Sequence, residues 1–358
     1  MKVLVTGGAG YIGCVLVQKL LEKGHQVRVL DRLYWGMQPI GDLVDRIELV
    51  KGDVRDIDPR VLDGIDAVIH LAGLSNDPTA DYRPDANWQM NGVATERLAR
   101  ACKSAGIKRL TFGSSCSIYD GLPPGVEYDE TAPVSPIGAY ATTKYYAEQK
   151  LLELADDDFC PVILRQGTVY GHSPRMRFDL VVNTFVKDAL IHRKLFLHGG
   201  GWMWRPLVEV RDVAEIHIAC LEAPEELVRG QIFNVVQGNY QIRQLAMLVA
   251  GSLSLISRPV ELVNAPQPAR VRDYRCSGLK LKQTLGIEPK ITVLESIEDM
   301  LGKIALDAYA EMCSPRYYNI QWMTLLEEAA SILKPYEDPW DCMLRKDARE
   351  AEAPQRLA

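Results

Sequence analysis

Tyr140 and Lys144 lie four residues apart in the segment Tyr140-Ala141-Thr142-Thr143-Lys144, so on a helix the phenol and the ammonium group share one face. Such a pair can move a proton to or from an alcohol if the phenol ionises near neutral pH. A free phenol has a pKa near ~10, so its ionisation must be favoured by about 4 kcal/mol. The positive charge of Lys144 can supply part of this free energy.

Three glycines with a spacing of three residues, Gly7, Gly10 and Gly13, follow a short apolar run at the start of the chain. Apolar residues with a helical period come next and end near Lys23-Gly24. A strand, a glycine turn and a helix in this order can place backbone N–H groups and a helix N-terminus against a pyrophosphate. The segment therefore predicts a site for a dinucleotide.

The next strand, near residues 26–31, ends in the carboxylate of Asp31. An acid at this place can bind the adenosine ribose hydroxyls and repel a 2′-phosphate, which favours NAD over NADP. Arg32 leaves NADP open, because its guanidinium group could stack on adenine or tolerate a phosphate.

A further strand, near residues 108–114, leads into Gly113-Ser114-Ser115-Cys116-Ser117. Ligands bind at the carboxyl ends of strands in a doubly wound sheet. A serine hydroxyl here could hold the same alcohol oxygen as Tyr140, although each serine could also be an ordinary hydroxyl at the end of a strand.

The elements that must position these groups alternate between strand and helix up to about residue 174. Strands are predicted near residues 2–6, 26–31, 47–51, 66–72, 108–114 and 161–165. This alternation predicts an α/β fold, a Rossmann-like, doubly wound parallel sheet with helices on both faces. Asp212–Leu221 is predicted as a helix and Gln231–Val236 as a strand of the same domain.

Several segments, in the order expected, resemble the extended short-chain dehydrogenase/reductase family in its NAD-dependent nucleotide-sugar epimerase/dehydratase branch. They cover roughly residues 1–300 and are TGGAGYIG (6–13), GDVRD (52–56), HLAG (70–73), Asn91 in MNGVAT, SSCSIYD (114–120), YATTK (140–144), RQGTVYG (165–171) and RPLVEVRDVA (205–214). The resemblance implies an NAD-binding domain of residues 1–174 and 207–236. It also implies a smaller nucleotide-sugar-binding lobe of residues 175–206 and 237–306, and it leaves residues 307–358 as a C-terminal extension.

The resemblance also implies roles for individual residues. Tyr140 would be the base, Lys144 would tune it and grip the nicotinamide ribose, and Ser115, four residues before Tyr119, would hold the reacting oxygen. Residues implied to bind NAD are Gly7, Gly10, Tyr11, Ile12, Gly13, Asp31, Arg32, Asp53, Val54, Leu71, Ala72, Gly73, Asn91, Ser114, Tyr140 and Lys144. Residues implied to bind a nucleotide-diphosphate sugar are Ser115, Cys116, Ser117, Thr168, Asn183, Arg205 and Arg272, where arginine suits the diphosphate. Arg175 and Arg177 could equally be lid or surface residues.

Departures from the family pattern limit which of the family's reactions this chain is expected to catalyse. Cys116 and Ser117 stand where 4,6-dehydratases carry Asp-Glu, which argues against that activity. A stabilised Cys116 thiolate would permit a 5,6-elimination, although a cysteine there is more commonly a small buried filler. Thr168 replaces the asparagine of C4-epimerases, and residues 171–183 resemble a sub-branch with C4-dehydrogenases of GDP-linked heptoses.

We therefore expect redox chemistry at the sugar C4 through a 4-keto intermediate, with C4 epimerisation favoured. Net dehydrogenation or ketoreduction at C4 is the alternative, and a 5,6-dehydratase is a weaker one. A dinucleotide-binding regulator without catalysis is a different class, but such proteins tend to lose the tyrosine or lysine that this chain retains.

The overall composition excludes some partners. A net charge of −6 over 358 residues gives no field for nucleic acid or an anionic membrane surface, and no apolar stretch is long enough to span a bilayer. The chain opens directly on a strand, and its eight cysteines include no Cys-x-x-Cys pair, which favours reduced thiols in a cytoplasmic enzyme without a metal.

Helices near 88–105 and 139–155 offer apolar faces for a homodimer, or for intramolecular packing alone. Aromatic residues in the segment Met312–Met343, among them Tyr336 and Trp340, predict that it packs on the body or on a neighbouring subunit.

Overall fold

A computed structural model describes residues 1–267, 271–304 and 309–333. Its strands are β1 (Lys2–Thr6), β2 (Gln26–Asp31), β3 (Glu48–Lys51), β4 (Ala67–His70), β5 (Arg109–Ser115), β6 (Glu127–Tyr128), β7 (Cys160–Gln166), β8 (Thr168–Tyr170), β9 (Lys194–His198), β10 (Trp204–Glu209), β11 (Ile232–Val235), β12 (Gly238–Gln241), β13 (Glu261–Ala265) and β14 (Arg275–Cys276). Its helices are α1 (Tyr11–Glu22), α2 (Asp77–Tyr82), α3 (Pro84–Asn87), α4 (Ala94–Ser104), α5 (Ala139–Leu154), α6 (Val181–His192), α7 (Val210–Glu222), α8 (Glu225–Val228), α9 (Ile242–Leu255), α10 (Leu279–Leu285), α11 (Val293–Lys303), α12 (Tyr309–Met312) and α13 (Asn319–Leu333).

Seven of the described strands form one parallel sheet in the order β11-β7-β5-β4-β1-β2-β3. The side chains of Val3, Leu4 and Val5 in β1 are fully buried, as expected for a strand covered by helices on both faces. The chain runs from β1 towards one edge and from β4 towards the other, so the topology reverses between β1 and β4. This confirms the predicted Rossmann-like α/β fold and locates a ligand crevice at the carboxyl ends of these two strands.

The strands and helices predicted for the large domain agree with the structure within one or two residues at most ends. One predicted helix differs. The segment predicted as a helix near 88–105 begins with a π-helical turn, Trp88–Val93, before α4. Gly92 in this turn packs close to the ring of Tyr146, and the turn places Asn91 in the interior. Such turns recur at functional sites.

A smaller lobe lies beside the large sheet. It contains the three-stranded sheet β12-β10-β8 and the pairs β13-β9 and β14-β6. Apolar side chains of the large sheet and of α6 and α9 belong to one buried cluster, which joins Val5 to Val186 and Leu245. The two lobes therefore share a core, and their exact boundaries stay a prediction from the sequence.

The C-terminal extension packs on the body, as far as the structure describes it. The backbone N–H of Phe178 donates to the carbonyl of Tyr317 at 3.2 Å, and the two rings meet edge to face with centroids 5.4 Å apart. α13 then runs along the mouth of the crevice. Tyr336 and Trp340, which belong to the same expectation, lie outside the described residues.

Two fully buried histidines should make this fold sensitive to acid. Burial and the nearby Lys144 charge lower the pKa of His70 and of His217 from 6.5 to about 3. Between pH 6.5 and pH 3 the unfolded chain therefore binds more protons than the folded one, and stability falls as the pH falls. Each histidine should lower the free energy of unfolding by about 1.4 kcal/mol per pH unit in this window.

Urea denaturation of the wild type and of His70→Gln at several pH values checks this. His70→Gln should lose stability less steeply below pH 6.5 than the wild type. The exposed His192 provides the matched control, since His192→Gln leaves both buried imidazoles in place. Equal slopes for the wild type and His70→Gln would contradict the neutral, buried state of His70.

Candidate active site

A cavity of about 550 Å³ opens at the carboxyl ends of β1, β4 and β5 and extends to the small lobe. Its lining includes residues from the glycine turn, from the ends of β4 and β5, from α5 and from the loops of the small lobe. Among the predicted site residues, those that line it are Gly7, Gly10, Tyr11, Ile12, Gly13, Leu71, Gly73, Ser114, Ser115, Ser117, Tyr140, Thr168, Arg205 and Arg272. One continuous space thus brings together the residues predicted to bind the dinucleotide and those predicted to bind the substrate.

The glycine turn leaves room for a ligand at the start of α1. Gly7 has a φ of +75°, and a Cβ there would lie 2.8 Å from the backbone nitrogen of Ala72. A Cβ at Gly13 would lie 2.1 Å from the carbonyl oxygen of Gly7. Gly10 gives α1 no side-chain cap and its first turn carries no acid, so the helix N-terminus offers N–H groups to an anion. These features fit the pyrophosphate of a dinucleotide.

Asp31 supports this turn directly. Its carboxylate accepts hydrogen bonds from the backbone nitrogens of Ala9 at 3.0 Å and of Leu33 at 2.7 Å. Burial nevertheless raises the pKa of this carboxyl group. Arg32 donates to Asp53 at 2.5 Å, and Arg55 also pairs with that carboxylate. Asp31, Arg32, Asp53 and the neighbouring Val54 are outside the cavity lining, whereas Arg55 is part of it.

Tyr140 lies in the first turn of α5 and borders the cavity beside Ser115. Burial and the negative charge of Asp77 raise its pKa to about 12. A hydrogen bond with the Ser115 side chain and the charges of Arg177 and Arg272 act in the opposite direction. The phenol therefore requires a further positive charge in the cavity before it can serve as a base near neutral pH.

Lys144 is buried one helical turn beyond Tyr140. Its Nζ donates to the carbonyl of Gly113 at 2.8 Å and lies 4.6 Å from the ring centroid of Phe112. The same nitrogen is 5.9 Å from the ring centroid of Tyr140. Burial lowers the pKa of Lys144 to about 8, against the opposing influence of the Glu148 carboxylate. Lys144 is not part of the lining itself, so it supports the site from behind.

A buried ion pair lies under the serines. Arg165 Nη2 lies 2.7 Å from the carboxylate of Glu148, and both side chains are almost fully buried. Ser114 donates to the same carboxylate at 2.5 Å, while Arg165 Nη1 donates to the hydroxyl of Tyr119 at 2.6 Å. The pair therefore fixes α5, β5 and β7 together at the place where Ser115 and Tyr140 meet.

Asn91 holds the loop after β4. Its side-chain oxygen accepts from the backbone nitrogen of Leu74 at 2.8 Å, and its amide nitrogen donates to the carbonyl of Leu74 at 2.7 Å. Ala72 is held in turn by its backbone nitrogen, which donates to Thr6 at 3.3 Å. Asn91 and Ala72 do not line the cavity, but they position Leu71 and Gly73, which do.

Arg205 and Arg272 mark the far end of the cavity. Arg272 Nη2 lies 2.7 Å from the carboxylate of Asp77, which begins α2. Arg205 donates to the carbonyls of Trp204 and Arg272. Two guanidinium groups, one of them paired with a cavity carboxylate, suit the diphosphate of a ligand.

Two of the residues predicted to bind substrate lie away from this space. Cys116 is fully buried and its thiol donates to the carbonyl of Arg165 at 3.1 Å. Asn183 is also fully buried, where its side chain accepts from the backbone nitrogen of Gly171 and donates to Tyr11. Neither residue lines the cavity.

Several cavity residues were not predicted as site residues. Asp77, Gln166 and Tyr274 line the space, as do Arg175 and Arg177, which the sequence left as possible lid or surface residues. Arg175 and Arg177 are 4% and 5% exposed, so they belong to the interior. The helix start Asn76-Asp77-Pro78, which follows β4 after a short loop, is a signal in the sequence that could have indicated Asp77.

The glycine turn at the carboxyl end of β1 gives this cavity the form of a Rossmann-type dinucleotide site. The model of the NAD dependent epimerase/dehydratase family matches residues 3–236. A UDP-glucose 4-epimerase of Corynebacterium glutamicum is 30% identical, with 83% of this chain and 93% of that protein covered. The chain therefore belongs to the NAD dependent epimerase/dehydratase family, and NAD is its cofactor.

Two solved structures show the same architecture. The UDP-glucose 4-epimerase of Thermus thermophilus in complex with NAD has a TM-score of 0.72 at 28% identity, covering 85% of this chain and all of that one. The UDP-glucose 4-epimerase of Thermotoga maritima with UDP-glucose has a TM-score of 0.74 at 25% identity, covering 88% of this chain and all of that one.

Grouped metal ligands, membrane-spanning helices and disulfides are absent from the part of the chain that the structure describes. No three side chains of His, Cys, Asp or Glu there are grouped as metal ligands, and no helix there has the length and apolar character to cross a bilayer. The seven cysteines within the described ranges are free thiols.

The buried pair of Glu148 and Arg165 gives a test of how the site is held. Glu148→Ala would leave the Arg165 charge buried without its partner, so the free energy of unfolding should fall by about 3–5 kcal/mol. Urea denaturation measures this loss. The control on the same helix is Glu153→Ala, which breaks an exposed pair with Lys150 and should cost less than about 1 kcal/mol. Equal losses in the two variants would show that the buried pair does not hold α5 in place.

Proposed function

We propose that the protein is an NAD-dependent oxidoreductase that acts at C4 of a nucleotide-diphosphate sugar, with C4 epimerisation through a 4-keto intermediate as its favoured reaction. The observation that carries this proposal is the single cavity between the glycine turn and the Arg205–Arg272 pair, with Tyr140 and Ser115 on its wall. A dinucleotide and a sugar diphosphate can meet in one such space.

The residues divide the work as follows. NAD⁺, when bound, supplies the hydride acceptor and a positive charge. Tyr140 takes the proton of the C4 hydroxyl at its phenol oxygen, and Ser115 holds that hydroxyl by a hydrogen bond. Lys144 stabilises the ionised phenol and, through Gly113, stays fixed to the end of β5. Arg205 and Arg272 bind the diphosphate, and Thr168 and Ser117 border the sugar.

The alternatives use the same cavity. Net oxidation or reduction at C4 needs the same residues, and only the return of the hydride distinguishes it from epimerisation. A 5,6-elimination has less support, because the Cys116 thiol is buried and donates to Arg165 instead of lining the cavity. A regulator without catalysis has less support as well, since Tyr140, Ser115 and Lys144 are all retained.

The apolar side chains of α4 and α5, such as Leu98, Ala147 and Leu151, pack on one another in the core of the monomer. The proposal of a homodimer therefore rests on the exposed aromatic residue beside them. Trp88 is exposed at the start of this region and packs on Tyr146 with ring centroids 4.9 Å apart. We also propose a cytoplasmic role in carbohydrate biosynthesis, in keeping with a nucleotide-sugar substrate.

A substrate panel tests the reaction. The purified protein is incubated with NAD⁺ and UDP-, GDP-, CDP- and dTDP-linked sugars, and the products are separated while NADH absorbance is followed. The proposal expects a C4 stereoisomer of one nucleotide sugar without net NADH. A keto sugar with stoichiometric NADH would replace epimerisation by net dehydrogenation, and no conversion of any sugar would contradict the whole proposal.

Tyr140→Phe tests the base. The variant keeps the ring but removes the proton acceptor, so kcat should fall by about 10³-fold or more while NAD binding is preserved. Turnover and NADH titration measure the two effects. Tyr146→Phe is the matched control on the same helix, because its hydroxyl donates to Glu96 on the surface. Wild-type turnover in Tyr140→Phe would remove Tyr140 from its role.

A further inference from the structure

One face of α13 forms a wall of the cavity. The residues on this face are spaced by three and four positions, as expected for one side of a helix. They are Asn319, Trp322, Met323, Leu326 and Glu327. The opposite face, with Gln321, Leu325 and Glu328, is exposed. The family model ends at residue 236, so this wall comes from a part of the chain that the model does not cover.

At the dinucleotide end, α13 contacts the loop that follows β2. Trp322 Nε1 donates to the carbonyl of Tyr34 at 2.5 Å, and the rings of Trp322 and Trp35 have centroids 6.5 Å apart. Tyr34 and Trp35 line the cavity and come shortly after Asp31, the residue implied to recognise the adenosine ribose.

On the other side, α13 is bound to the segment that follows β4. The carboxylate of Glu327 accepts from Arg83 Nε at 2.7 Å and from the hydroxyl of Tyr82 at 2.9 Å. Thr324 also donates to Tyr82, at 3.1 Å. In the sheet, β2 and β4 are the two neighbours of β1, so the loops that follow them lie on opposite sides of the glycine turn. α13 therefore bridges the crevice from one side to the other.

A buried contact fixes the first turn of α13 to the interior of the cavity. Asn319 is 5% exposed; its side-chain oxygen accepts from Arg175 Nη2 at 2.8 Å, and its amide nitrogen donates to Ser75 at 3.3 Å. Arg175 lies with its guanidinium carbon 3.9 Å from the ring centroid of Trp35, and its Nε has no hydrogen-bond partner among the described residues. The helix thus contacts a cation that faces the cavity.

We propose that α13 is a built-in cover of the dinucleotide crevice, which retains NAD on the protein between turnovers. Trp322 and Glu327 hold the cover closed, at the β2 side and the β4 side respectively, and Asn319 fixes its start. NAD leaves only when these contacts break. This inference rests on the proposed function in one respect: an enzyme that returns its hydride in every cycle has no need to exchange its cofactor.

The test measures cofactor release and does not depend on any sugar. Protein loaded with NADH is diluted into an excess of pyruvate and lactate dehydrogenase, and the loss of NADH fluorescence gives the release rate. Trp322→Ala should raise this rate by about tenfold or more, which corresponds to about 1.4 kcal/mol. Glu327→Gln breaks an exposed pair with Arg83 and should raise the rate by about three- to fivefold. Leu325→Ala, on the exposed face of the same helix, is the control and should release NADH at the wild-type rate.

Trp322→Phe keeps an aromatic ring but removes the N–H donor and part of the ring surface. It tests the contact even if Trp322→Ala does not fold. It should show a smaller increase in the release rate than Trp322→Ala. Release rates within about twofold of the wild type in both Trp322→Phe and Glu327→Gln would overturn the proposal. Faster release in the variants without conversion of any nucleotide sugar would support the cover and contradict the proposed reaction. Epimerisation with unchanged release would contradict the cover alone.

Discussion

The burial of the Lys144 ammonium group against the end of β5 is the interaction on which the rest of the site depends. Its hydrogen bond to Gly113 joins α5 to the centre of the sheet, and the buried pair of Glu148 and Arg165 makes the same connection one turn further on. Because both contacts come from one helix, the first turn of α5 has little freedom. Tyr140 is therefore held at the cavity wall beside Ser115.

The charges around the Tyr140 phenol determine how readily it ionises. Burial raises the pKa of Tyr140 and the negative charge of Asp77 raises it further, whereas Arg177 and Arg272 lower it. Arg272 is paired with Asp77 in the cavity lining, so the Asp77 carboxylate partly neutralises its positive charge. A diphosphate that binds Arg272 would compete with Asp77 for its guanidinium group. Binding of such a ligand would therefore change the charges that act on the Tyr140 phenol.

Local spacing in the sequence was sufficient for the residues that a single turn or helix positions. The glycine turn, the Tyr140–Lys144 pair and the positions of the strands up to β7 are of this kind, and the structure confirms the fold. The residues that the sequence did not predict depend on pairs far apart in the chain. Asp77 becomes a cavity residue by pairing with Arg272, and Asn319 enters the interior by contacting Arg175. Cys116 is a residue that the sequence placed in the site but that lies outside the cavity lining. The turn after β5 directs its thiol to the carbonyl of Arg165, although its neighbours Ser115 and Ser117 line the cavity.

The central claim is that Tyr140 becomes a base only when the positive charge of NAD⁺ is added to that of Lys144. Titration of tyrosinate by near-ultraviolet absorbance, taken as the difference between the wild type and Tyr140→Phe, measures the pKa of this phenol directly. The account predicts a pKa of about 12 in the protein without dinucleotide. It predicts a value lower by about 2 pH units or more in the NAD⁺-loaded protein. The same high pKa in both forms would contradict it.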